Sequence, residues 1–97
     1  MSSTAIVEII AERDRQILDE GLTAEHDDDH ECGELARAAA AYATHAHRPF
    51  LASATWPFDG VLKDKGHRRN CVCAAALLIA EIERLDRLSL EAEGPTT

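Results

Sequence analysis

From Cys71 to Ser89, small and apolar residues recur in alternating steps of four and three: Cys71, Ala75, Leu78, Ile82, Leu85, Ser89. That 3.5-residue period belongs to a helix with a coiled-coil-like seam and is incompatible with a strand, whose faces repeat every two residues. It predicts a helix over about 68–90. A second flank carries Ala74, Leu77 and Leu88. Two apolar flanks on one helix call for cover on both sides, by a third helix or by a second subunit. The expectation is therefore a homodimer, or a higher oligomer, joined through this helix. Glu83 and Arg87 stand four apart in the favourable order for a helical ion pair.

Two further helices follow from the same argument. Over about 3–20, Ile6, Ile10 and Ile17 fall within about 40° on a helical wheel, flanked by Ile9 and Leu18, so this stripe is expected to face the core. Ser2, Ser3 or Thr4 can cap its start and Gly21 suits a left-handed end. Arg13 interrupts the stripe. Its guanidinium must either reach past the core edge or turn inward and pair with a carboxylate, because an unpaired buried charge is costly. Over about 29–46, Cys32, Leu35, Ala39, Tyr42 and Ala46 form a seam of small residues, with Asp28 and Glu31 as a capping pair. Between 47 and 67, Pro49, Pro57, Gly60 and Gly66 punctuate an irregular loop, with a helical turn possible inside 50–55; a loop of this length tends to carry function. The fold class is all-α: three principal helices in one helical domain, residues 1–90, and a disordered tail, 91–97.

Charge narrows the function. Ten Lys and Arg against 18 Asp and Glu give a net charge of −8. A nucleic-acid backbone binder or a protein docking on anionic lipid needs the opposite sign. The longest apolar run, Cys71 to Ala80, is about half of a membrane span, and the N-terminus shows no basic region or cleavage pattern of a secretory signal. Cys71 and Cys73 point about 200° apart on a helix and cannot pair, and Cys32 is isolated, so free thiols in a cytoplasmic setting are expected.

Three constellations could carry chemistry. The first is His26-Asp27-Asp28-Asp29-His30, followed by Glu31 and Glu34. If a helix begins early enough, His26, His30 and Glu34 share one face and could reach one metal; if Asp28 caps the helix, His26 lies outside it and the acids are solvated. The second is Lys63, Lys65, His67, Arg68 and Arg69, the one positive cluster of an acidic chain. Placed before a helix, it suits a phosphate or other compact anion, or it pairs with surface acids. The third is Trp56-Pro57-Phe58, either a core plug or a stacking surface next to the cations. Together they suggest a nucleotide-like ligand: Trp56 or Phe58 for stacking, Lys63, Lys65, Arg68 and Arg69 for phosphate, and Arg13, His26 and Asp28 for polar orientation, with His30 in the same cluster. There is no phosphate-binding Gly-rich loop, no CxxC, no HExxH and no nucleophile elbow, so no catalytic residue and no cofactor is assigned.

The segments Ala11-Glu12-Arg13-Asp14-Arg15-Gln16-Ile17, Glu20-Gly21-Leu22-Thr23-Ala24-Glu25-His26-Asp27-Asp28-Asp29-His30, Gly33-Glu34-Leu35-Ala36, Trp56-Pro57, Arg68-Arg69-Asn70 and Ala74 to Arg87 resemble a family of small phage and prophage proteins. The resemblance covers most of the chain and implies life in the cytoplasm of an infected or lysogenic bacterium. Leu22 stands where that family has an aromatic, and Cys71 and Cys73 where it has an apolar residue and a Lys. The helix, the glycine-threonine turn and the nearby Asp and His are also similar to prokaryotic ryanodine-receptor repeat domains, which implies an ADP-ribose-like or nucleotide-like ligand. Together they point to a non-catalytic accessory protein that binds such a ligand and blunts host defence signalling. One alternative is an acidic, protein-binding inhibitor of a host nuclease or CRISPR complex. Another comes from ExxE and ExxD patterns, which resemble all-α nucleotide pyrophosphohydrolases of the MazG type; that resemblance implies Mg²⁺ held by Glu31, Glu34, Glu83 and Asp86.

Overall fold

A computed structural model describes residues 3–31 and 33–93. Among them are five helices and no strand: α1 Thr4–Glu20, α2 Ala24–Asp28, α3 Glu34–Thr44, α4 Pro49–Thr55 and α5 His67–Glu93. The all-α class and the three long helices are as expected from periodicity. No helix is long and apolar enough to cross a membrane among the described residues.

The ends follow local chemistry. Ser3 caps α1, its Oγ accepting the Ile6 N–H at 3.2 Å, and Gly21 closes it in the left-handed region at φ 72°. Thr23 starts α2 by accepting the His26 N–H. Gly33, at φ 80°, precedes α3. Asp28 therefore caps nothing: it is the last residue of α2, and α3 begins at Glu34 rather than near 29. The pairing of Asp28 with Glu31 gives way to Thr23 and Gly33. The seam position assigned to Cys32 lies outside the described residues, and Ala46, its other end, is exposed beyond the helix. Pro49 opens α4, its fixed φ suiting a first helical turn. α5 is 27 residues, about 40 Å, and runs on through residues 91–93, which the sequence reading assigned to a disordered tail; 94–97 lie outside the described residues.

The apolar core joins α3 to α5. Leu35, Ala38, Ala39 and Tyr42 pack on Cys73, Ala74, Leu77 and Ala80, with Leu22, Trp56, Phe58 and Leu62 laid against them. Alanines on both sides let the two backbones come close. Of the two apolar flanks of α5 only one joins this core: Ala74 and Leu77 are buried and Leu88 is half exposed, while Cys71, Leu78, Ile82 and Leu85 of the four-and-three seam face solvent.

α1 corrects the sequence reading. Its isoleucine stripe is only partly covered: Ile6 is 52%, Ile10 57% and Leu18 82% exposed, while Ile9 and Ile17 are half-buried. The helix instead buries Glu12, Arg13 and Gln16. The stripe is real, but the adjoining polar face carries groups that satisfy one another and the partners on α2 and α5. Arg13 takes the inward option. It donates to Asp27 Oδ2 at 3.0 Å and to the Leu22 carbonyl at 3.1 Å, with Glu83 at 3.6 Å. Glu83 therefore turns to Arg13 rather than to Arg87, which bonds Asp28 across the molecule at 2.8 Å. Arg84 pairs with Glu81.

Candidate functional site

A cavity of about 420 Å³ opens beside the α3–α5 core. That is within the usual range for small-molecule sites. Its walls come from α1 (Glu12, Gln16, Glu20), the turn and α2 (Leu22, His26), α3 (Tyr42), α5 (Leu77) and the 56–65 segment (Trp56, Phe58, Asp59, Val61, Lys63, Lys65). The long connection between α4 and α5 thus supplies six of the lining residues.

The aromatic wall is built edge to face. Trp56 meets Tyr42 at 5.5 Å and Phe58 at 5.6 Å between ring centroids, with interplanar angles of 86° and 80°. Trp56 combines both roles considered for it: one side packs on the core and another lines the cavity. Phe58 also touches the edge of His30, which stacks on His26 at 4.3 Å. Because a carboxylate only accepts, His26 Nδ1–H donates to Asp27 Oδ1 at 3.2 Å. His30 Nδ1–H donates to the His26 carbonyl. The chain Arg13–Asp27–His26 therefore fixes the orientation of an imidazole in the cavity wall, although Arg13, Asp28 and His30 do not line it themselves.

The cations divide. Lys63 and Lys65 belong to the cavity. Lys65 is placed by Asn70, fully buried in the first turn of α5. Asn70 Oδ1 accepts the Lys65 main-chain N–H at 2.9 Å, and its Nδ2 donates to Asp64. The Lys65 ammonium lies 5.3 Å from the Tyr42 ring centroid and 3.4 Å from its hydroxyl. Burial works against that charge, but the proximity of Tyr42 and Cys73 outweighs it and holds the ammonium above its ordinary pKa. Lys63 has no ion-pair partner among the described residues. Arg68 and Arg69, expected to join them, are turned toward α1. Arg68 grips Glu8 with two hydrogen bonds at 2.7 and 2.8 Å, and Arg69 bonds Glu12. Neither lines the cavity, because α1 offers carboxylates at those points.

Glu12 anchors the floor and was not singled out from sequence. Burial alone would raise its pKa. Hydrogen bonds from Arg15 and Cys73, and the charges of Arg15 and Arg69, overcome this and bring it to about 2. Arg15 makes bonds of 2.8 and 2.9 Å to Glu12 and also holds Glu20 at 2.9 Å. Glu12 and Glu20 are thereby neutralised from behind, which leaves Asp59, without an ion-pair partner among the described residues, as the remaining acid of the lining beside Lys63 and Lys65. Gln16 was also missed. The available signal was the four-residue spacing of Glu12, Gln16 and Glu20, which puts them on one helical face.

Among the described residues the acidic cluster does not gather into one ligand set. Asp28 lies in a second, small cleft of about 50 Å³ with Glu31, Arg84 and Arg87. Among the described residues, no three His, Cys, Asp or Glu side chains gather as metal ligands. The sets His26, His30, Glu34 and Glu31, Glu34, Glu83, Asp86 therefore do not converge: His26 and His30 stack on each other, and Glu83 is drawn to Arg13. Cys71 and Cys73 are free, the first exposed and the second buried.

No protein-family model, no curated protein and no solved structure matches this chain.

Proposed function

We propose that the protein binds one small, anionic, nucleotide-like ligand in this cavity and holds it without chemical change. The observation that carries this reading is that Trp56, Phe58, Lys63 and Lys65 share one cavity in a chain of net charge −8. Rings supply a stacking surface and two ammonium groups supply charge. The surrounding negative potential disfavours a long polyanion, so a compact ligand fits better than a nucleic acid. Holding alone suffices to lower the concentration of a signal, which is how a phage accessory protein of this kind would blunt a host defence; the cytoplasm of a bacterial host is the compartment this requires.

Titration calorimetry with a panel of nucleoside phosphates and cyclic dinucleotides tests the reading. A saturable heat is expected for at least one, lost in Lys63→Ala/Lys65→Ala. A ligand at 100 times its Kd should also stabilise the fold by about 2.7 kcal/mol. No heat across the panel, and no small molecule released on boiling protein purified from its host, would remove it.

A second observation favours a protein partner as well. Ile6, Val7 and Ile10 on α1, and Leu78, Ile82 and Leu85 on α5, are large aliphatic residues about half exposed. The four-and-three seam of α5 is of the kind that pairs with a second copy of itself. Light scattering then reads twice the mass of 10.6 kDa. A monomer that persists at high concentration would leave these rows to a host protein.

A further inference from the structure

We infer that Gln16 and Trp56 read the edge of a nucleobase, Gln16 by accepting a hydrogen bond and Trp56 by donating one. This rests on the cavity reading above and assigns it a specificity. Gln16 is 2% exposed. Its Nε2 donates to Glu12 Oε2 at 3.3 Å and to the Cys73 carbonyl at 3.4 Å. Both partners are acceptors only, so the amide cannot be reversed without setting oxygen against oxygen. Its Oε1 is therefore fixed as an acceptor, and it is buried without a partner. The Trp56 indole is held by its edge-to-face contacts with Tyr42 and Phe58, and its Nε1–H is also buried without a partner. Both residues line the same cavity.

Buried polar groups are normally satisfied, and an unpaired acceptor and an unpaired donor beside one cavity are complementary to a ligand that offers the reverse pair. Every nucleobase presents a ring-edge donor next to an acceptor. A sugar phosphate has no planar edge, and an aromatic acid lacks the N–H. Glu12 is committed to Arg15, Arg69, Gln16 and Cys73, and Glu20 to Arg15. His26 and Asp59 also line the cavity, but among the described lining residues the buried and unpaired side-chain atoms belong to Gln16 and Trp56. The base edge is therefore assigned to Gln16 and Trp56, and the phosphate to Lys63 and Lys65. A site built to hydrogen-bond its ligand rejects an analogue without the matching groups far more strongly than an apolar pocket does.

The test measures Kd for the four ribonucleoside 5′-monophosphates and for ribose 5-phosphate on the full chain, in wild type, Trp56→Phe and Gln16→Met. Trp56→Phe keeps an aromatic ring and removes only the N–H. Wild type is expected to prefer its best nucleotide over ribose 5-phosphate by at least 10-fold. In Trp56→Phe that preference is expected to fall at least 5-fold, and likewise in Gln16→Met if circular dichroism shows it folded. Nucleotide binding with an unchanged preference in Trp56→Phe overturns this inference and leaves the cavity reading intact. Ribose 5-phosphate binding as tightly as any nucleotide also overturns it. Absence of binding by all five compounds overturns this inference, whereas the cavity reading falls only with the wider panel of nucleoside phosphates and cyclic dinucleotides.

Discussion

α5 is packed on two sides in opposite ways. Toward α3 it buries alanines, Leu77 and a thiol against Leu35, Ala38, Ala39 and Tyr42. Toward α1 and α2 it meets Glu12, Arg13, Gln16 and Asp27, all buried and all charged or polar. The first contact is held by shape and by removal of apolar surface from water. The second is held by mutual satisfaction of charges, which adds little over an apolar equivalent but is severe to break from one side. Small residues can be read as core from their spacing alone. A polar contact depends on which partners arrive, and for Arg13 these come from 9 to 70 positions away in the chain.

The largest effect expected from this contrast is at Asp27. Asp27→Ala removes the principal partner of a buried guanidinium and should cost about 3 kcal/mol or more in urea unfolding. Arg13→Met/Asp27→Leu, removing both charges, should recover most of that loss; a double variant as unstable as Asp27→Ala would contradict the account of this side. On the apolar side, Leu35→Ala should cost about 2–5 kcal/mol, as a fully buried leucine in a tight core.

Acid separates the two sides next. Glu12 is depressed from an ordinary 4.5 to about 2. A carboxylate whose folded pKa is lowered contributes stability above its unfolded pKa and loses it as pH falls through the folded one. Urea midpoints should therefore decline from about pH 4.5 toward pH 2, and Glu12→Gln, weaker at pH 7, should show a shallower decline. An identical slope in both proteins would remove Glu12 from the acid transition. The smallest effect belongs to the outer face of α1. Ile10→Lys should change stability by no more than about 0.5 kcal/mol, measured at concentrations where the chain is monomeric. A loss of several kcal/mol would return Ile10 to the core.

The same contrast explains what could be read in advance. Leu35, Ala39, Tyr42, Ala74 and Leu77 were legible because their spacing matched the helical period. α1 was misread because periodicity identifies an apolar stripe, not the stripe that is covered. Arg13 was the visible clue, an arginine beside the isoleucines that had to find a carboxylate. α2 was hidden because its five residues, Ala24–Asp28, have no stripe, and its Thr23 cap was outweighed by the more conspicuous Asp28. Among the candidate ligand-binding residues, Trp56, Phe58, Lys63, Lys65 and His26 meet around one cavity. Arg68 and Arg69 do not, since nothing in their local sequence announces Glu8 and Glu12 sixty and fifty-seven positions earlier.

Asn70 has a further consequence. Its side-chain oxygen, fully enclosed at the entrance of the longest helix, receives the main-chain hydrogen of the residue that carries the Tyr42-facing ammonium. That amide exchanges with deuterium only when the entrance turn loosens. One slow proton thus reports on the cavity mouth and on the rod behind it together, and its rate should change whenever either one is held.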